Sequence, residues 1–183
     1  ADNPSRTLYK ISEIYDRIAF AGVGKYNEFQ MLKIAGVRHA DMKGFSYSRS
    51  DVNARSLANA YAQTLGQVFT HEMKPYEVEI PVAQVADDPA DDELFHLLYD
   101  GTVMDEERFT VLGGGAEDIA TTLGERFSEG LGLAESRQLG AEVLGGEDGP
   151  LEIDALEVGF LDRTAPGRAF RRIRDDELGT LLG

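Results

Sequence analysis

The strongest constraint on the fold of this chain is an alternation of strand-like runs with pairs of helical segments. Two short strand-like runs occupy residues 7–24 and meet at Tyr15-Asp16, which predicts a β-hairpin. Over residues 25–43, apolar or small residues recur at the spacing of one helix face. These residues are Phe29, Leu32, Gly36 and Ala40. The sequence therefore predicts a hairpin followed by a first helix.

A second helix is predicted over residues 51–72, where the pattern is long and contains no proline. Residues 44–49 are predicted to form a turn, and Ser48 with Asp51 resembles a capping box. The predicted helix has an apolar face made of Leu57, Tyr61, Leu65, Val68 and Phe69. We interpret this aromatic and leucine stripe as core packing rather than as a cofactor site.

After Pro75 the apolar residues alternate with polar ones, which predicts a strand with one face in the core. The inward residues are Tyr76, Val78, Ile80 and Val82. Pro81 cannot donate a hydrogen bond to a sheet, so we expect an edge position or a bulge there. The acidic residues at 87–92 that follow are interpreted as a solvated loop, because a calcium loop needs a different spacing.

The rest of the chain predicts more strands and a second pair of helices. The runs ELFHLLYDG and ERFTVLGGG are interpreted as two strands joined across Asp100-Gly101. Helices are predicted over residues 116–131 and 133–144, then a hairpin formed by LEVGFLD and AFRRI, and a terminal helix over residues 174–182. No repeat or domain boundary is visible. Helix pairs that can each cover one face of a sheet favour a layered architecture, although periodicity leaves the number of layers open.

The composition limits the possible partners. The chain has 183 residues, with 33 Asp and Glu against 18 Lys and Arg and a formal charge of −15, which argues against nucleic acid and anionic membranes. With no cysteine it has no disulfide, thiolate metal site or cysteine nucleophile, and a reducing cytosol is the simplest location. Ala1 opens a polar run without a signal core, so we expect a soluble, cytoplasmic chain. Because no initiator Met is present, Ala1 need not be the natural terminus.

The motifs of common active sites are absent from the sequence. His39, His71 and His96 fall in different predicted elements and cannot form a helical zinc pair. The GVGK run at Gly22 lacks the spacing of a P-loop, and the glycines at 113–115 lack the remaining pattern of a dinucleotide site. There is no GxSxG elbow either. We therefore expect no autonomous active site, no metal and no cofactor.

Several long segments, taken together and in order, closely resemble the core α-subunit of actinobacterial proteasomes. They are LYKISEIYDRIAFAGVGKYNEFQMLKIAGVRHAD, RSDVNARSLANAYAQTLGQVFT, KPYEVEIPVAQV, ALEVGFLD and AFRRI. The resemblance covers nearly the whole chain, which we treat as a single domain over residues 1–183. Relative to the family, we expect the opening segment with the gate residues, first helix and first strands to be missing, together with the longer C-terminal tail.

The resemblance implies an α+β fold, the four-layer αββα sandwich of N-terminal-nucleophile hydrolases, with two antiparallel sheets between helical layers. Residues 25–44 and 51–72 would form its first helix pair, and residues 116–144 the second. It also implies a subunit of a heptameric α-ring that stacks on proteolytic β-subunits. Such a ring would admit unfolded proteins through a gate and bind the C-terminal tails of a ring-shaped ATPase activator.

The resemblance further implies that this chain is catalytically silent. A hydrolase of this fold uses an N-terminal Thr, Ser or Cys whose own α-amine acts as the base. Ala1 supplies no such group, and in the family the α-type terminus is an extension without a processed threonine. Two alternatives remain open at this point: a self-contained hydrolase of the same fold, and a small acidic binding module that does not assemble.

The resemblance assigns two residues to the activator site. Lys10 matches the lysine of the family's tail-binding pocket, where it would pair with the terminal carboxylate of an activator tail. Gly24 matches a glycine that leaves room for that tail. Without the resemblance, Lys10 is interpreted as a solvated strand lysine and Gly24 as a turn or helix-entry glycine.

Overall fold

A computed structural model describes residues 9–174 and residue 177 of this chain. Over these residues the strands are β1 (Ile11–Tyr15), β2 (Ile18–Ala21), β3 (Val23–Gly24), β4 (Val78–Gln84), β5 (Glu93–Leu97), β6 (Val103–Asp105), β7 (Val158–Leu161) and β8 (Phe170–Ile173). The α-helices are α1 (Tyr26–Ser46), α2 (Ala54–His71), α3 (Ala116–Arg126) and α4 (Leu133–Gly145). The predicted terminal helix lies outside the described residues, apart from Arg174 and Glu177.

The larger sheet is antiparallel, with strand order β1-β2-β4-β5-β6, and β3 pairs with β4 beyond the end of β2. Strands β1, β2 and β4 alternate between buried and half-buried residues, so one face of the sheet carries the core. The core side chains of this face include Ile14, Ile18, Phe20, Ile80, Val82, Phe95 and Leu97. The predicted first hairpin and the strand after Pro75 are confirmed by β1, β2 and β4.

Helices α1 and α2 cover the core face of this sheet. They bury the predicted positions, with Phe29 and Leu32 on α1 and Leu57, Tyr61 and Leu65 on α2. Val68 is only half-buried, and Phe69 is exposed near the end of α2.

The predicted connection between these helices is only partly right. Helix α1 continues to Ser46, so the turn begins later than expected. The Ser48 side chain caps a short 3₁₀ helix over Arg49–Asp51 rather than the α-helix. Helix α2 begins at Ala54 because the Asn53 side-chain oxygen accepts the Ser56 N–H at 2.8 Å, which satisfies a donor of its first turn.

The second sheet is the hairpin β7–β8, as predicted, and it lies against the other face of the larger sheet. A cleft of about 260 Å³ between the two sheets is lined by Ile11, Ala19, Pro81, Ala83, Phe160 and Phe170. Helix α4 faces β7 across another cleft, and α3 packs beside α4. The order of layers is thus α1/α2, larger sheet, smaller sheet and α3/α4, which confirms the predicted αββα sandwich.

The expectation that Pro81 marks an edge or a bulge is wrong, because β4 lies inside the sheet. Phe20 pairs with Val82 and Val23 with Glu79, and the same register places Ala21 opposite Pro81. Successive residues of an antiparallel strand direct their N–H and C=O groups to opposite neighbours. Gly22 donates to Lys10, on the β1 side, so Ala21 directs its backbone groups toward β4. Since proline has no N–H, the sheet lacks a bond at this point, and β2 and β3 are separate strands.

The prediction of a strand over ERFTVLGGG is also wrong. Strand β6 starts earlier, at Val103, because the turn after β5 is tight. Gly101 has a φ of 90°, and the Asp100 side chain accepts the Thr102 N–H at 2.9 Å. Residues 107–115 instead form the connection to α3. This helix ends at Arg126, five residues before the predicted end at residue 131, since Phe127 has an extended backbone.

Among the described helices, none combines the length and the apolar character needed to cross a bilayer.

Candidate functional site

Lys10 lies immediately before β1, at the start of the edge strand of the larger sheet. The Gly22 N–H donates to the Lys10 carbonyl at 3.2 Å, so the two residues face each other across the first hairpin. The Lys10 side chain is exposed. Within residues 9–174, no hydrogen bond or ion pair engages its ammonium group. Among these residues nothing compensates the positive charge of Lys10, which lies next to a sheet edge.

Two other lysines, one at the start of α1 and one before β4, are already neutralised. Lys25 and Lys74 hold the two carboxylate oxygens of Glu77, with N–O distances of 3.1 and 3.2 Å. Hydrogen bonds from Lys25 and then from Lys74 keep the pKa of Glu77 below its usual range. An incoming carboxylate would have to displace Glu77 from either lysine, whereas Lys10 needs no displacement.

Gly24 ends β3 with a φ of 123°, which residues with a side chain rarely adopt. A Cβ atom at this position would overlap the Glu77 carbonyl oxygen. That same oxygen accepts the Lys25 N–H at 3.2 Å as the chain enters α1. The local backbone alone thus accounts for a glycine here, in line with the helix-entry interpretation. A part for Gly24 in tail binding stays a prediction.

Gly22 is the glycine that faces Lys10, and the sequence did not single it out for this site. It is buried, and a Cβ atom there would lie 2.8 Å from Cγ of Phe29. The GVGK run contains two glycines, and only the pairing of the strands tells which of them is opposite Lys10.

A second missed feature is a carboxylate from the far end of the chain. Glu157 accepts the backbone N–H groups of Lys10 and Ile11, at 2.9 and 3.0 Å. Arg172 pairs with Glu157, donates to the Ile11 carbonyl at 2.5 Å and places its guanidinium 3.7 Å from the centre of the Tyr9 ring. We call Glu157 and Arg172 the strand clamp. The only sequence signal for it is that both residues lie in the two segments of the final hairpin.

The described residues otherwise offer little chemistry. No group of three or more His, Asp or Glu among them could hold a metal ion. His96 is buried and hydrogen-bonded to Glu79 and Thr110, at 3.0 and 3.2 Å, while His39 and His71 are exposed. An exposed cation beside a fixed strand can bind an anionic group.

Comparison with known proteins identifies the family. The profile described as "Proteasome subunit" matches residues 4–146, which is most of the chain. The chain belongs to the proteasome subunit family. It is 60% identical to "Proteasome subunit alpha" of Sanguibacter keddieii over 99% of this chain and 73% of that protein. The proteins of the same name from Kineococcus radiotolerans and Thermobifida fusca are 55% and 50% identical over all of this chain, which covers 81% and 74% of their lengths.

These relatives confirm the family that the sequence resembles. All three carry the same name, and they fall within the actinobacterial type that the long segments indicated. The high identity over almost the whole chain makes this a proteasome subunit of the alpha type, which is the non-catalytic type, and supports the same αββα sandwich.

Proposed function

We propose that this chain forms the outer ring of a proteasome core particle as a single α-type domain. Seven copies would form a gated ring through which unfolded proteins reach the β-subunits that cleave them, in the cytoplasm. The identity of 50–60% to named alpha subunits over nearly the whole chain supports this proposal. The exposed apolar residues of α1 support assembly, and the Lys10 charge, which has no partner among the described residues, supports activator docking.

The outer surface of α1 carries an apolar stripe that suits a subunit interface. Met31, Ile34, Met42 and Phe45 lie on one side of the helix, and Met42 and Phe45 are 70% and 91% exposed. The exposed Arg38 divides this stripe into two clusters, and exposed apolar clusters on a protein surface commonly mark protein–protein contacts. We propose that a neighbouring proteasome subunit covers this α1 stripe.

The α1 stripe can be tested with Phe45→Ser combined with Met42→Ser. Burial of each such side chain is worth about 1.5–3 kcal/mol, so their loss should weaken co-assembly with β-subunits in native mass spectrometry. The isolated chain should keep its thermal stability because both side chains are exposed. Met73→Ser, at a fully exposed residue beyond α2, is the matched control. Normal assembly of the double variant would exclude the stripe as an interface.

The observation that carries activator docking is the exposed Lys10 ammonium without a partner within residues 9–174. The terminal carboxylate of an activator tail would supply the missing charge. If ring assembly and the bound tail exclude water from this pair, removing one partner should cost about 2–5 kcal/mol, the range typical of desolvated charge pairs. Several tails on one ring would bind together more tightly than one tail alone.

Lys10→Ala should therefore leave the ring intact and abolish stimulation by a tail-bearing ATPase. The measurement is degradation of an unfolded protein by core particles that contain this chain and its β-subunit. Lys33→Ala removes the same charge from α1 and serves as the control. Unchanged stimulation in Lys10→Ala particles would remove Lys10 from the activator site.

Catalytic silence is tested separately. Core particles whose β-subunits have lost their active-site threonine should cleave no peptide, although they contain the unchanged α-type chain. A covalent threonine-directed inhibitor should likewise label only the β-subunits. Cleavage by the isolated chain, blocked by that inhibitor, would favour a self-contained hydrolase instead.

A further inference from the structure

The start of β1 is held by side chains from the second sheet rather than by another strand. β1 is the edge strand, so on its outer side the backbone has no strand partner among the described residues. Glu157, just before β7, takes the N–H groups of both Lys10 and Ile11 with its two carboxylate oxygens. A carboxylate that accepts two backbone N–H groups fixes their direction and their spacing.

Arg172 of β8 completes this arrangement. It pairs with the same carboxylate, donates to the carbonyl of Ile11 and stacks on the ring of Tyr9. The side chains of Glu157 and Arg172 are only about one quarter exposed, at 25% and 24%. Partial burial reduces the screening of these contacts by water. The clamp therefore binds both N–H groups and a carbonyl group of the backbone at Lys10 and Ile11.

We propose that the strand clamp positions Lys10 for the activator tail, so that Glu157 and Arg172 determine tail affinity without touching the tail. This inference rests on the proposed docking function of Lys10. The clamp would act in two ways. It fixes the backbone from which the Lys10 side chain leaves, and Arg172 keeps the Glu157 carboxylate engaged, so that it does not pair with the Lys10 ammonium.

The second action follows from the groups that the Glu157 carboxylate binds. Its carboxylate lies against the main chain of Lys10, where an unpaired anion would compete with the tail for the lysine. The guanidinium of Arg172 and the two N–H groups satisfy that anion instead. No other described residue then pairs with the Lys10 ammonium, which stays available to a carboxylate from outside.

The test uses core particles assembled from this chain and its β-subunit. The probe is a fluorescent octapeptide copied from the C-terminus of the ring ATPase of the same source, with its C-terminal amide as a charge control. Fluorescence anisotropy gives the half-saturating concentration, and hydrolysis of a small peptide substrate gives the maximal stimulation. The variants are Glu157→Gln, Arg172→Lys and Lys10→Ala, and Glu157→Gln combined with Lys10→Ala.

The matched control is Glu13→Gln. Glu13 lies on β1 itself and, like Glu157, pairs with an arginine of the final hairpin, Arg168, but its contacts do not reach the backbone of Lys10. A general loss of packing between the two sheets would affect Glu13→Gln and Glu157→Gln alike.

We expect Glu157→Gln to raise the half-saturating concentration of the peptide about tenfold with unchanged maximal stimulation. The neutral amide accepts weaker hydrogen bonds from the Lys10 and Ile11 N–H groups than the carboxylate does, so Lys10 is held less firmly. Arg172→Lys keeps the positive charge but loses the bidentate guanidinium, so it should give a smaller rise in the half-saturating concentration. This variant replaces Glu157→Gln if the Glu157→Gln particles fail to assemble. Glu13→Gln should stay within about twofold of the unchanged chain, because distant ion pairs act independently.

Dependence on Lys10 decides the proposal. In the Lys10→Ala background, Glu157→Gln should add almost nothing, because a residue that acts through Lys10 has no effect without it. An equal effect in both backgrounds, or an effect no larger than that of Glu13→Gln, would overturn the positioning role while the docking site stands. If Lys10→Ala leaves the half-saturating concentration unchanged, both the docking site and the positioning role are overturned.

Discussion

The contact between α1 and α2 predicts an unusual response to a conservative substitution at Tyr61. The Tyr61 side chain is buried on α2, and its hydroxyl has no hydrogen-bond partner among the described residues. Burial raises the pKa of Tyr61 because the charged form is excluded from water. On α1, a Cβ atom at Gly36 would overlap that hydroxyl and lie 2.5 Å from Cζ of the same ring.

These contacts determine whether each of two substitutions stabilises or destabilises the fold, and by how much. A buried, unsatisfied polar group costs about 1–3 kcal/mol, so Tyr61→Phe should raise the free energy of unfolding by about 1 kcal/mol after the loss of some packing. Gly36→Ala should gain about 1 kcal/mol of helix propensity. Overpacking against a buried ring costs about 1–3 kcal/mol, so Gly36→Ala should be destabilising on balance.

The double variant, Gly36→Ala with Tyr61→Phe, separates overpacking from other effects. Removing the hydroxyl deletes the nearest atom to the new methyl group, so the double variant should be more stable than the sum of the single effects by about 1 kcal/mol. Urea unfolding of the isolated chain, with the slope m unchanged, is the measurement. Additive effects, or a destabilised Tyr61→Phe, would refute this account of the α1–α2 contact.

Two further predictions concern the backbone near the site and acid stability. Gly24→Ala should lower the unfolding free energy by about 1–3 kcal/mol without any activator present, whereas Gly114→Ala, with no atom near its Cβ, should have little effect in the same urea titration. Equal effects would contradict a backbone role for Gly24. Burial alone would raise the pKa of Asp92, but hydrogen bonds from Arg163 and the Ala86 N–H outweigh burial and lower it. Its stabilising effect should therefore be full above the unfolded-state pKa of about 4 and disappear as the pH falls through the lower folded value, so Asp92→Asn should cost stability at pH 7 but little near pH 2. A difference that persists unchanged to pH 2 would contradict this.

Periodicity predicted the parts of the fold that bury one face. The apolar stripes on α1 and α2 and the alternation in β4 correctly predicted which side chains enter the core, because residues on one buried face recur at the period of the helix or strand. Element boundaries were less predictable. Asn53, rather than Ser48, starts α2, since a cap depends on where the backbone leaves the helical conformation.

The position of a strand in its sheet is a long-range property, and Pro81 shows this. A proline lacks an N–H wherever it lies, so in an interior strand the missing bond affects the neighbouring strand, and here β2 ends opposite Pro81. The sequence of β4 shows the missing donor but not which strand lies opposite it, so it does not place the break between β2 and β3.

The candidate site was predictable only in part for the same reason. Lys10 was assigned from the family resemblance, but its ordinary surroundings in sequence give no hint of Glu157, which is 147 positions away. Contacts between distant segments depend on the packing of the two sheets. A carboxylate near the final hairpin has many possible partners until that packing is known.

Pro81 has a consequence for the chain before it folds. Val78, Ile80 and Val82 give the segment Val78–Gln84 one apolar, β-branched face, and a stretch with such a face can pair with its copies into amyloid while it is still unfolded. A proline in the middle of the stretch disrupts that stacking, since every layer would lack the same donor. The same proline that leaves a bond unmade in the native sheet thus protects the newly made polypeptide from aggregation until β4 is paired with its own neighbouring strands.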